Sequence, residues 1–242
     1  TLREGFQVSE SNPLVGLEGR LNLLRALGDA LLANENLFGR SNSRPGNLWD
    51  GLSAQGTRRE CQASDILASV LRGLGPIWPG RITLSDVPMG AVWPHPLLGD
   101  SSTTECLMPF HKLSQWLSYS MIEPIEDAGL RVLDVNGLTG LAEYRNGGLL
   151  VDTGFLSLRD PQLLEKAHAP ESELIIEWRA LTLHALELLA PKVRELLGKT
   201  EEQFPLAKVL EGGTWRAGRK IAKQLRPNGA PPIQLKSDGT VF

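Results

Sequence analysis

Few residues in this chain are of the kinds that staple a fold or seat a metal. Among 242 residues there are two cysteines and four histidines. Cys61 and Cys106 stand far apart and form no C-x-x-C pair. That argues against a disulfide framework or a zinc knuckle and suits a reducing compartment, so a cytoplasmic location is expected. No H-E-x-x-H occurs, and so few histidines count against a zinc site; neither metal nor other cofactor is expected. No G-x-S-x-G is present and neither cysteine has a neighbouring histidine, so nothing supports acyl transfer by Ser or Cys. No apolar run reaches the roughly 18 residues of a membrane span, and no signal peptide is visible, so no membrane partner is expected. Neither sign of charge dominates. Lys plus Arg number 25 and Asp plus Glu 28, a formal net charge of -3 with no strongly basic region, which disfavours nucleic acid as a partner. Repeats and low-complexity segments are absent.

What is present is an ordinary globular composition. Hydrophobic residues make up 41% and charged residues 22%, enough to bury a core without staples. The expected class is mostly α with a few short strands, one domain over residues 1–242. The chain begins at Thr1, not Met, which fits a fragment or a processed product. Leu17, Leu21, Leu24, Leu27 and Leu31 recur at helical spacing after Pro13. Residues 38–52 carry loop chemistry, Ser-Asn-Ser and Pro-Gly. A helix is predicted over 62–74 with Ser64 as its cap. Residues 73–102 are proline-rich, with a strand at Ile82 to Leu84 and two tryptophans, Trp78 and Trp93, that mark an ordered loop. Another helix is predicted to open near Pro109. RVLDVNGL reads as a short strand with an Asn-Gly turn. The longest helical signal runs from about Pro170 to Gly198, where Pro191 either kinks it or starts a new helix. Gly212-Gly213 reads as a helix stop, Thr214 as the cap of a restart, and the tail PPIQLKSDGTVF as extended.

Four places could carry chemistry. In LTGLAEYRNGGLLVDTGFL, residues 138–156, Asn-Gly-Gly is expected to break the chain, and Glu143 and Asp152 fall within apolar runs. Burial raises a carboxylate's pKa unless a cation such as Arg145 answers it, and a second carboxylate nearby splits the two values as acid/base work requires. A structural ion pair, Glu143 with Arg145 or another Arg, is the alternative. In PFHKLSQWLSY, Lys112 and Gln115 share a helix face, as do Gln115 and Tyr119, and His111 is adjacent. A helix start with a lysine can hold a phosphate, but a plain polar surface face fits as well. In SELIIEWRALTLHALE, Glu173, Glu177, Arg179 and His184 lie among apolar residues, and Glu177 with His184 at i+7 could line a pocket. Around Gly212-Gly213-Thr214, Lys208, Arg216, Arg219 and Lys220 could form an anion nest, or simply a helix corner.

Long motifs carry a family resemblance. VGLEGRLNLLRALG, GLGPIWPGRITL, PFHKLSQWLSYSMIEP, GLTGLAEYRNGGLLVD, SELIIEWRALT, FPLAKVLEGGTWRAGR and the terminal SDGTVF resemble, in order, the fungal and bacterial uracil-catabolism protein family, the fourth gene product of that pathway. Members are longer at the N-terminus. The resemblance implies that this chain is the larger, C-terminal part of one, in contact with the missing part and with pathway enzymes. In that pathway uracil becomes a nucleotide whose ring is opened, and urea is released.

A fainter resemblance suggests a reaction. Phe110 is followed by Lys112 and Gln115; Ala142-Glu143-Tyr144-Arg145 comes next; then Glu173 and Glu177-Trp178-Arg179. This order is similar to that of the queuosine-salvage proteins, helical N-glycosidases with a DNA-glycosylase-like architecture. It implies that Glu143 takes the place of a catalytic aspartate, one methylene longer. A buried carboxylate there stabilises an oxocarbenium-like sugar or activates water. Arg145 or Lys112 would hold a 5′-phosphate, Tyr144 and one of Trp78, Trp93 or Trp116 would stack on the substrate, and Asn146 and Gln115 would bind a ureido leaving group. The function expected is hydrolysis of a ribosylurea-type, nucleotide-derived substrate, probed at Glu143, Asp152, Lys112, Gln115, Tyr144, Arg145, Asn146, Glu177 and Arg179. Its rivals are opening of the pyrimidine ring and a silent scaffold subunit.

Overall fold

Leucine spacing builds the first long helix, and helices then dominate the chain. A computed structural model describes residues 1–55, 59–78, 80 and 82–236. The helices are α1 (Leu2–Gly5), α2 (Leu17–Ala33), α3 (Glu35–Phe38), α4 (Asn47–Gln55), α5 (Ala63–Leu74), α6 (Lys112–Asp127), α7 (Tyr144–Asp152), α8 (Glu173–Leu197), α9 (Leu206–Val209) and α10 (Arg216–Leu225). The strands are β1 (Glu60–Gln62), β2 (Thr83–Leu84), β3 (Val87–Pro88), β4 (Val92–Pro94), β5 (Leu107–Pro109), β6 (Arg131–Leu133), β7 (Ala167–His168) and β8 (Gln234–Leu235). They pair two by two: β1 with β6 and β7 with β8 in parallel, β2 with β3 and β4 with β5 antiparallel. The protein is therefore mostly α with short strands, as its patterning predicts. Among the described residues no helix is long and apolar enough to cross a membrane. Of the tail expected to be extended, Gln234 and Leu235 form β8, and residues 237–242 lie outside the described ones.

Several boundaries differ from the sequence expectation, each for a physical reason. Residues 47–52 are helix, not loop. The loop ends when the Asn47 amide donates to the Phe38 and Asn42 carbonyls, and Leu48 and Leu52, one turn apart, then supply a buried stripe. Helix α5 is capped by Gln62, whose N–H donates to Asp65, and not by Ser64. Pro109 closes β5 and does not open a helix. Phe110 extends the pairing by donating to the Ala91 carbonyl, and His111 turns the chain at φ 42° so that α6 starts at Lys112. Helix α8 runs through Pro191 without restarting. Gly212-Gly213 does not stop a helix. A π turn, Leu210–Trp215, joins α9 directly to α10, so Thr214 caps nothing and no nest of free amides forms.

The core is a set of touching clusters. Ile66, Ile125, Leu130, Val132 and Cys61 are buried between α5, α6 and the β1–β6 pair. Leu186, Ala190, Leu206, Val209 and Leu210 pack α8 on α9. Tyr119 of α6 touches both clusters, which sets α6 between them. A third group, Trp93, Phe110, Ala142 and Ile176, packs the β4–β5 pair and the approach to α7 against α8.

Candidate active site

Glu143 is the cap of α7, and this places a carboxylate inside the protein. Its backbone is extended, and its side chain accepts from the N–H groups of Arg145 (2.8 Å) and Asn146 (2.5 Å). Such a cap satisfies helix amides that have no intrahelical partner. The residue is only 5% exposed. Burial raises its pKa above the ordinary glutamate value, and the two N–H bonds, Lys112 and Arg145 act in the opposite direction.

The Asn-Gly-Gly that follows does not break the chain; both glycines lie inside α7. A Cβ on Gly147 would stand 2.7 Å from the Thr182 hydroxyl and 2.8 Å from the Trp178 indole nitrogen. That nitrogen donates to the Gly147 carbonyl at 3.0 Å. Two glycines weaken a helix by roughly 0.5–1 kcal/mol each, but here they let α8 lie against α7. At the other side Gly218 of α10 meets the Arg145 carbonyl so closely that a Cβ would come within 2.1 Å of its oxygen.

Lys112, the first residue of α6, is buried beside this carboxylate. Burial lowers its pKa, Glu143 opposes that shift, and Arg179 adds to it. Arg179 is 1% exposed and sits over the rings of Phe110 (4.1 Å) and Trp93 (4.9 Å). Its Nε donates to the Ala142 carbonyl at 3.2 Å, fixing the residue before Glu143. Desolvation brings its pKa down to about 9. The α6, α7 and α8 residues foreseen at the site thus converge in Lys112, Glu143 and Arg179.

Others take different posts. Gln115 is buried and accepts from the Thr139 N–H at 3.4 Å. Asn146 is also buried. Its amide donates to the Leu141 carbonyl and accepts from the Thr214 hydroxyl at 2.9 Å, tying the π turn to α7. Arg145 lies over the Tyr144 ring at 4.7 Å and donates to the Gly229 carbonyl. Its Nε is buried with no hydrogen-bond partner among the described residues. Asp152 is not brought to Glu143. It sits at the other end of α7, about 13 Å away by helix rise, and Arg226 grips both its oxygens. Glu177 and His184 line no shared pocket, because that face of α8 is exposed. Glu177 instead faces His95 at 3.6 Å. His95 is buried in the proline-rich segment, where nothing in the local pattern flags it. Glu211 and Trp215, also unforeseen, line two cavities, one of about 880 Å³ with Lys208 and Arg216 and one of about 370 Å³ with Asn146.

A family model described as "Protein of unknown function (DUF1688)" matches residues 1–242. The chain belongs to this family. It is similar to Uracil catabolism protein 4 of Lachancea kluyveri, 39% identical over 266 residues covering 99% of this chain and 60% of that protein. It is also similar to Protein urg3 of Schizosaccharomyces pombe, 41% identical over 246 residues covering all of this chain and 58% of that one. The chain thus spans about three fifths of the length of these relatives.

Proposed function

We propose that this chain carries the catalytic part of an N-ribosyl hydrolase of uracil breakdown. The reaction is cleavage of a ribosylurea-type compound, as its 5′-phosphate, to urea and ribose phosphate. The pathway is suggested by the printed name of the Lachancea kluyveri relative. The chemistry is suggested by one observation: Glu143 is a buried carboxylate of raised proton affinity, held by two backbone N–H groups beside Lys112. The similarity to helical N-glycosidases with a DNA-glycosylase-like architecture supports the same assignment.

In this reading the C1′–N bond breaks with its electron pair passing to the ureido nitrogen. Water adds to C1′ and gives a proton to Glu143, while the Lys112 ammonium, made more acidic by burial, supplies one to the leaving nitrogen. Glu143 then returns its proton to Lys112, and the site is reset. The negative carboxylate also stabilises positive charge on the sugar. The uncommitted Nε of Arg145 suits the 5′-phosphate. Arg179 acts through Ala142, as a positioning residue.

One observation favours a second reading, a binding or scaffold subunit: each Glu143 oxygen already caps a helix amide. Glu143→Gln separates the two, because glutamine keeps an acceptor for the cap but cannot take up a proton. The test is urea release from synthetic ribosylurea 5′-phosphate. Urea from the wild type and none from the variant supports hydrolysis. No urea from either, with the ligand bound, supports the scaffold.

A further inference from the structure

Two tryptophans flank a cavity that the reaction described above does not yet use. Helix α6 presents Trp116, Tyr119 and Glu123 to it, at i, i+3 and i+7. The π turn presents Glu211 and Trp215 from the facing side, and Asn146 forms part of the inner wall. The volume, about 370 Å³, is within the range of small-molecule sites.

The lining selects its ligand. Trp116 is 46% exposed, a large indole face left to solvent at the end of a buried helix face. Trp215 carries Arg219 at 5.5 Å from its ring centre. Indoles in a small cavity favour a flat group that can stack. Glu123 and Glu211 have no ion-pair partner among the described residues, and no Lys or Arg lines the cavity. Two uncompensated carboxylates repel phosphate and accept N–H bonds. The Asn146 amide donates one N–H to Leu141, and its second is left for a carbonyl. A planar group with several N–H donors and a carbonyl meets all of these walls, as an amide or urea does.

The cavity also adjoins the carboxylate. Leu141 and Asn146, both in its wall, bracket Glu143 in sequence, and the Asn146 N–H is one of the bonds that hold the Glu143 side chain. Lys112 lies one turn before Trp116 on the same helix.

We propose that this cavity holds the ureido end of the substrate, stacked by Trp116 and Trp215 and hydrogen-bonded by Glu211, with the sugar directed toward Glu143. The assignment rests on the hydrolase reading but is tested by binding, apart from turnover. The probe is unphosphorylated ribosylurea, titrated into the Glu143→Gln protein, with inorganic phosphate as the control. Indole N–H signals in nitrogen-15 NMR spectra report each tryptophan. The signals of Trp116 and Trp215 shift with ribosylurea and stay still with phosphate. Adding Trp215→Ala or Glu211→Gln weakens binding about tenfold. Trp116→Ala, at an exposed position, repeats the test where the Trp215 variant fails to fold. Unmoved indoles, or equal shifts with phosphate, overturn the proposal. Moving indoles without urea release by the wild type sink the hydrolase reading and leave the cavity as a ureide-binding site. Urea release with unmoved indoles does the reverse.

Discussion

A single carboxylate carries the most chemical weight in this protein, and its proton affinity sets what can be measured. Burial holds the Glu143 pKa above 4.5 and the Lys112 pKa below 10.5. As a base, Glu143 must be ionised; as an acid, Lys112 must be protonated. The pH profile of kcat/KM is therefore expected to rise through a midpoint above 4.5 and to fall through one below 10.5. Glu143→Gln lowers turnover by about 100-fold or more and removes the rising limb. Stability follows the same group with a definite sign. Folded Glu143 binds its proton more tightly than the unfolded chain does, so its contribution is complete below about 4.5 and is lost as pH rises through the folded value. Denaturant titrations across that rise should show the wild type losing stability relative to Glu143→Gln. An identical pH dependence in the two proteins would count against the burial argument. The carboxylate was legible in the sequence because a charge among leucines is conspicuous. Its role as a helix cap was not, because Asn-Gly-Gly reads locally as a break, and only contact with Trp178 and Thr182 makes glycine the residue a helix needs there.

At the level of elements, α7 is held from both ends and from two faces. Asp152 pairs with Arg226 just beyond α10, and its side chain is 3% exposed. Asp152→Ala leaves a cation uncompensated and is expected to cost on the order of 3 kcal/mol, read as a lower midpoint in urea, while kcat on ribosylurea 5′-phosphate stays within about twofold. A loss of kcat without a loss of stability would return Asp152 to the reacting centre. Gly218→Ala drives a methyl into the Arg145 carbonyl and is expected to cost about 3 kcal/mol in the same assay. Helix periods were legible wherever one apolar face repeats, as in α2 and α8. Starts and stops were less so. Pro109, Pro191 and Gly212-Gly213 each have a local meaning that packing overrides: a strand end for the first, helix interior for the others.

For the whole molecule, small strand pairs and helix contacts replace covalent ties. Cys61 lies in the parallel β1–β6 pair at 7% exposure and Cys106 at 2%, both free thiols. Burial raises the Cys61 pKa further, with Asp65 and Glu126 adding to it. Dithiobis(nitrobenzoate) should react with neither thiol in the folded protein and with both in denaturant, and reductant should leave the melting temperature unchanged. Rapid native labelling would show that one of these elements opens on its own. The scarcity of cysteine foretold the absence of a staple. The pairing of residues 60–62 with 131–133, seventy positions apart, has no local signature, which is why short parallel strands escape a reading based on period. The π turn has a further consequence for inheritance. It is a helix carrying one surplus residue, so loss of Gly212 or Gly213 would restore ordinary winding. Everything downstream would then rotate by about 100°, swinging Gly218 off the Arg145 carbonyl and Thr214 off Asn146. Such a deletion in a surface loop would pass unnoticed. Here it would act as a frame error in three dimensions, and lineages that keep the fold should vary in length elsewhere.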